Sequence, residues 1–77
     1  MSRMVSRYTS DIQSREIQGH MLSDGKIHYT FVQMGRNRGQ LTADEKDKML
    51  ASGLYKMVFN EEEEEAKEEF ELLGFLL

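Results

Sequence analysis

The stretch from Arg15 to Met34, with Asp24-Gly25 near its middle, constrains this chain more than any other. Apolar and polar residues alternate on both sides of a turn signal, which is the pattern of a β-hairpin. Loop length sets the register, because a slip of one residue sends every side chain to the opposite face. A two-residue turn at Asp24-Gly25 pairs Leu22 with Ile27, His20 with Tyr29 and Gln18 with Phe31, leaving both faces mixed. A three-residue loop, Ser23-Asp24-Gly25, instead closes a type I turn with a left-handed glycine. It pairs Met21 with Ile27, Gly19 with Tyr29 and Ile17 with Phe31 on a nearly all-apolar face. The other face then carries Leu22 beside Lys26, His20 beside His28, Gln18 beside Thr30 and Glu16 beside Val32. The three-residue loop is therefore expected, and Gly19 has a role in it, since a strand glycine leaves room for the ring of Tyr29 opposite.

The flanking segments predict an α+β fold with a small antiparallel sheet. Met4 to Tyr8 alternates, so residues 3–8 read as a further strand, with a flexible arm over 1–14 as the other reading. Gly35-Arg36-Asn37-Arg38-Gly39-Gln40 reads as a basic loop bracketed by glycines. Thr42-Ala43-Asp44-Glu45 has capping-box spacing and opens a helix over 42–52, which Gly53 closes. Leu54 to Phe59 alternates with β-rich residues and predicts a strand over 54–59, with Tyr55, Met57 and Phe59 on one face. Asn60 then caps a second helix over 60–73. Ala66, Phe70, Leu73 and Leu77 recur there at spacings of four, three and four. Both helices are expected on one face of the sheet, in a single domain spanning 1–77.

A chain of 77 residues buries only roughly 60 % of its unfolded surface, so a partner or a second copy would add stability. Without cysteine it has neither disulfides nor a thiolate metal site. No apolar run approaches the ~20 residues of a membrane span, and a cytoplasmic location without membrane contact is expected. Catalysis is not expected: no histidine, serine and acid stand in a recognisable arrangement, and the carboxylates cluster where tuning their pKa is difficult. No cofactor is implied.

Charge is strongly segregated. Residues 1–41 hold six basic against three acidic side chains, net +3, and residues 42–77 hold four against eleven, net −7. Glu61, Glu62, Glu63, Glu64 and Glu65, continued by Glu68 and Glu69, form the densest feature. As an anionic ridge they suit a protein partner with a basic surface, associating fast and with salt sensitivity. The expected function is accordingly a small acidic protein-binding module, a regulator or inhibitor. In composition and size, though not in sequence, it is similar to small phage and mobile-element proteins that occupy host enzymes in place of nucleic acid. The blander reading of the run is a solvated helix face.

Three other features are candidates. Arg36, Asn37 and Arg38 offer phosphate-contacting groups, and make a single-stranded nucleic-acid or RNA binder the alternative function. Phe70, Leu73, Phe75, Leu76 and Leu77 form an apolar cluster suited to a homodimer or a structural, assembly role. His20 and His28, as cross-strand neighbours, supply two imidazoles, too few for a tight zinc site, so no metal is assigned.

Overall fold

The computed structural model describes residues 2–61. Five strands, β1 (Arg3–Ser10), β2 (Arg15–Met21), β3 (Ile27–Gln33), β4 (Arg36–Leu41) and β5 (Lys56–Asn60), form one antiparallel sheet. One α-helix, α1 (Ala43–Ala51), lies between β4 and β5 in sequence. The order across the sheet is β4-β3-β2-β1-β5. The first four strands are thus a meander of successive hairpins, and β5 adds to the free side of β1. Returning from β4 to that side crosses four strand spacings, about 19 Å. The nine residues of α1 advance the chain by about 13 Å, which makes the helix most of the crossing.

The central hairpin has the expected register at every position, from Met21 opposite Ile27 through Gly19 opposite Tyr29 to Ile17 opposite Phe31. Its loop is closed by the Gly25 N–H donating to the Leu22 carbonyl at 3.0 Å and the Leu22 N–H donating to Lys26 at 3.2 Å. Gly25 takes the left-handed φ of 77° that this loop requires. The alternation over Met4 to Tyr8 marks a strand longer than 3–8, paired on both sides.

Two expectations are corrected here. The stretch Arg36 to Gln40 is not a loop but most of β4. Gln33 pairs with Arg36 across a two-residue turn, Met34-Gly35, in which both residues have positive φ, 51° and 77°. That is the type I′ geometry whose twist matches flanking strands, but methionine does not advertise it. A residue with a Cβ in this region costs about 1–2 kcal/mol, and Met34 is 71 % exposed. Met34→Asn should therefore raise the thermal midpoint by a few degrees, up to about 1 kcal/mol of stability. A lower midpoint in a melting experiment would mean that the methionine side chain contributes packing after all.

The second correction concerns β5, which begins at Lys56 rather than 54. Met57 stands opposite Tyr8 and Phe59 opposite Arg7, with a bulge between them. Since Arg7 and Tyr8 point to opposite faces, Met57 and Phe59 do as well. The alternation of Tyr55, Met57 and Phe59 on one face is broken by the extra residue, Val58. The expected second helix over 60–73 lies outside the described residues beyond Glu61.

One face of the sheet carries Tyr8, Ile17, Met21, Ile27, Tyr29 and Phe31, and the other Arg7, Glu16, Gln18, His20 and Thr30. Only Val5, Ile17 and Val32 are buried apolar side chains among the described residues. Helix α1 starts as its sequence demands: the Thr42 hydroxyl accepts the Glu45 N–H at 3.1 Å, and the Glu45 carboxylate accepts the Thr42 N–H at 3.0 Å. It buries no residue of its own. On the apolar face its Lys46 holds Nζ 4.6 Å from the centre of the Tyr29 ring.

Candidate functional site

The sheet order places the two charged candidates at opposite edges. Arg36 and Arg38 lie on β4, and the acidic run begins where β5 ends. The two positions are separated by roughly 19 Å of sheet. Arg36, Asn37 and Arg38 are all exposed. They do not form one cluster of like orientation. Arg36 pairs with Gln33 and Asn37 with Val32, residues on opposite faces, and Arg38 is the extra residue of a bulge. The Asn37 side-chain oxygen is already engaged, accepting the Gly39 N–H at 2.8 Å.

Glu61 is half-exposed and pairs with Arg3 at the start of β1. Beside it, Asn60 donates to the Tyr8 hydroxyl at 2.6 Å, which fixes the end of β5 on the apolar side of the sheet. The remaining glutamates of the run, Glu62, Glu63, Glu64, Glu65, Glu68 and Glu69, lie outside the described residues, as do Phe70, Leu73, Phe75, Leu76 and Leu77. Residues 2–60 hold nine basic against six acidic side chains, net +3, whereas residues 61–77 hold one against eight, net −7. The charge boundary is therefore sharper than halves of the chain suggest, and falls at the end of the sheet.

His20 and His28 are cross-strand neighbours. Each ring bonds a different side chain: His20 Nε2 lies 3.1 Å from Gln18 Oε1, and His28 Nε2 lies 3.0 Å from Asp24 Oδ2. The backbone N–H of Lys26, and then His28, hold the Asp24 carboxyl below its ordinary range. Among the described residues no three histidine, cysteine or acidic side chains gather as a metal site, and no helix is long and apolar enough to cross a membrane.

The polar face holds a feature the sequence reading did not find. Arg7 on β1 makes a two-pronged contact with Glu16 on β2, Nε to Oε1 at 2.7 Å and Nη2 to Oε2 at 3.1 Å. Gln18 adds a bond to the same carboxylate at 3.2 Å. Extending the hairpin register one strand back would have revealed the pair, since Thr9 stands opposite Glu16 and Arg7 opposite Gln18. The Arg7 bond holds the Glu16 carboxyl below its ordinary range, against a smaller opposing effect of burial. A carboxyl lowered by folding contributes stability above its unfolded pKa, about 4.3, and loses it as pH falls through the folded value. Thermal melts of the native chain should thus fall off more steeply below about pH 4.3 than those of Glu16→Gln. Parallel acid profiles would refute a stabilising role for the pair.

The apolar face carries a groove of about 460 Å³, lined by Val5, Met21, Ile27, Tyr29 and Ala43 with Arg3 and Glu61 at its rim. Sequence reasoning missed it because its walls come from three strands and the start of α1. Comparisons with protein-family models, curated proteins and solved structures found no match to this chain.

Proposed function

We propose that the protein is a small binding module that presents the glutamate run beginning at Glu61 to a partner protein with a basic surface, as a regulator or inhibitor of that partner. The observation that carries this reading is the placement of charge. The arginines that could neutralise the run internally, Arg36 and Arg38, stand at the far edge of the sheet. Arg3 pairs with the first glutamate, Glu61. Seven acidic side chains and one lysine follow Glu61, and such an excess gives fast, salt-dependent association with a positive surface. The exposed arginines of β4 support a second reading, contact with single-stranded nucleic acid, but Asn37 is divided from Arg36 by the sheet.

Affinity capture with the tagged full chain from a lysate of its own source, with and without nuclease and at low and moderate salt, separates the two. The module reading expects a protein that survives nuclease and is lost with salt. Recovery that vanishes with nuclease would overturn it in favour of the arginine strand.

A further inference from the structure

The polar face brings the two histidines of the sequence together, and its hydrogen bonds decide which nitrogen of each ring carries the proton. His20 on β2 stands directly opposite His28 on β3. A carboxylate offers only acceptors, so the Gln18 amide turns its nitrogen to Glu16 and donates to Oε1 at 3.2 Å. That leaves Gln18 Oε1 toward His20, and an amide oxygen only accepts, so His20 Nε2 is the donor across 3.1 Å. Asp24 Oδ2, another acceptor, likewise makes His28 Nε2 the donor across 3.0 Å. The neutral form of each ring therefore has its hydrogen on Nε2 and its lone pair on Nδ1. Among the described residues no hydrogen bond reaches either Nδ1.

An imidazole that donates one N–H to a carboxylate or carbonyl oxygen and keeps a lone pair on its other nitrogen is the arrangement of a metal-ligating histidine. Here it occurs twice, on neighbouring positions. We propose that His20 Nδ1 and His28 Nδ1 together bind one divalent transition-metal ion, Zn²⁺, Ni²⁺ or Cu²⁺, the ions that imidazole suits. Directly opposed residues hold their Cβ atoms about 4.5–5.5 Å apart, a span that two rings bridge around one ion with metal–nitrogen bonds of about 2.0–2.1 Å. Both histidines also line one hollow of about 220 Å³ with Thr30, Asn37 and Gln40, which gives room for water on the remaining positions of the ion. No third histidine, cysteine or acidic side chain joins them among the described residues. The site is thus an open, reversible one with two protein ligands, unlike a closed structural centre. Gln18 is a positioning residue for His20, and Arg7 steadies it in turn by holding Glu16. The inference is independent of the partner reading, since it uses only side chains of β1, β2, β3 and the loop at Asp24.

Zinc titration of the tag-free full chain at about pH 7.5, above the ordinary imidazole value of about 6.5, tests it through long-range proton–nitrogen spectra of the two rings. Before zinc is added, both rings should show a protonated Nε2 and an unprotonated Nδ1. With zinc, both Nδ1 resonances should move and saturate together at one ion per chain. His20→Ala and His28→Ala should each weaken binding at least roughly tenfold, and Gln18→Ala should weaken it roughly tenfold while mixing the two His20 tautomers. An Nδ1–H on either ring of the metal-free chain, movement of Nε2 in place of Nδ1, no movement with zinc in excess, or single-histidine variants that bind as tightly as the native chain would overturn the proposal, the last placing the zinc on other side chains.

Discussion

Ile17→Ala should cost about 2–5 kcal/mol, the range for removing a buried isoleucine without collapse of the space it leaves. Ile17 is 0 % exposed and sits on the middle strand, between Tyr8 of β1 and Phe31 of β3. Only Val5 and Val32 join it as buried apolar side chains among the described residues, so little stands ready to fill the gap. A domain of this size holds roughly 4–12 kcal/mol in total. The variant should therefore melt more than ~10 °C below the parent, whereas Ile17→Val, losing one methylene, should cost about 0.5–1.5 kcal/mol. Urea denaturation of both variants checks the pair. A loss below about 1 kcal/mol for alanine would show that the sheet is not centred on β2.

Gly19→Ala sets two effects of opposite sign against each other. Strand propensity favours alanine over glycine by about 0.5–1 kcal/mol, and the backbone at Gly19 is not among those with positive φ. Space argues the other way. A Cβ at Gly19 runs into the Ser6 hydroxyl, 3.1 Å from Tyr29 Cε1 and 3.3 Å from Ile27 Cγ2. Ser6 is itself buried, so its hydroxyl has little room to turn aside. Overpacking typically costs about 1–3 kcal/mol, which exceeds the propensity gain, and net destabilisation is the expected sign. The cause can be isolated. The Ser6 Oγ has no hydrogen-bond partner among the described residues, so Ser6→Ala alone should be near neutral, and in combination it should rescue Gly19→Ala by removing the colliding oxygen. Additive losses in the double variant would place the strain elsewhere.

The parts of the fold that local chemistry specifies were legible in the sequence. Asp24-Gly25 marks the turn and the apolar pairing from Met21 with Ile27 to Ile17 with Phe31 selects its loop length, while Thr42 with Glu45 fixes a helix start, because each signal lies within one hairpin or one helical turn. The missed turn at Met34-Gly35 lacks the asparagine or aspartate that usually marks two successive left-handed residues. The bulge at Val58 has no glycine or proline to announce it, so an alternation that looked sound changed faces halfway. Long-range pairing was the other limit. Arg3 and Glu61 meet only because β5 returns to the free edge of β1, an order that neither segment carries in its own pattern. The same return puts Arg36 and Arg38 at the edge of the sheet opposite the strand that leads to Glu61.

Whether the acidic run is a contact surface for a basic partner, as proposed, is tested most directly by the affinity of the captured partner for the native chain and for a variant with Glu62, Glu63, Glu64 and Glu65 each changed to Gln. Leaving Glu61 intact preserves its pairing with Arg3 and hence the end of β5. Titrated across a range of salt, the variant should bind more weakly by on the order of tenfold or more, with the loss chiefly in association rate and with a flatter salt dependence. Equal affinity and equal salt dependence in the two chains would contradict that role and return the glutamates to the status of a solvated surface.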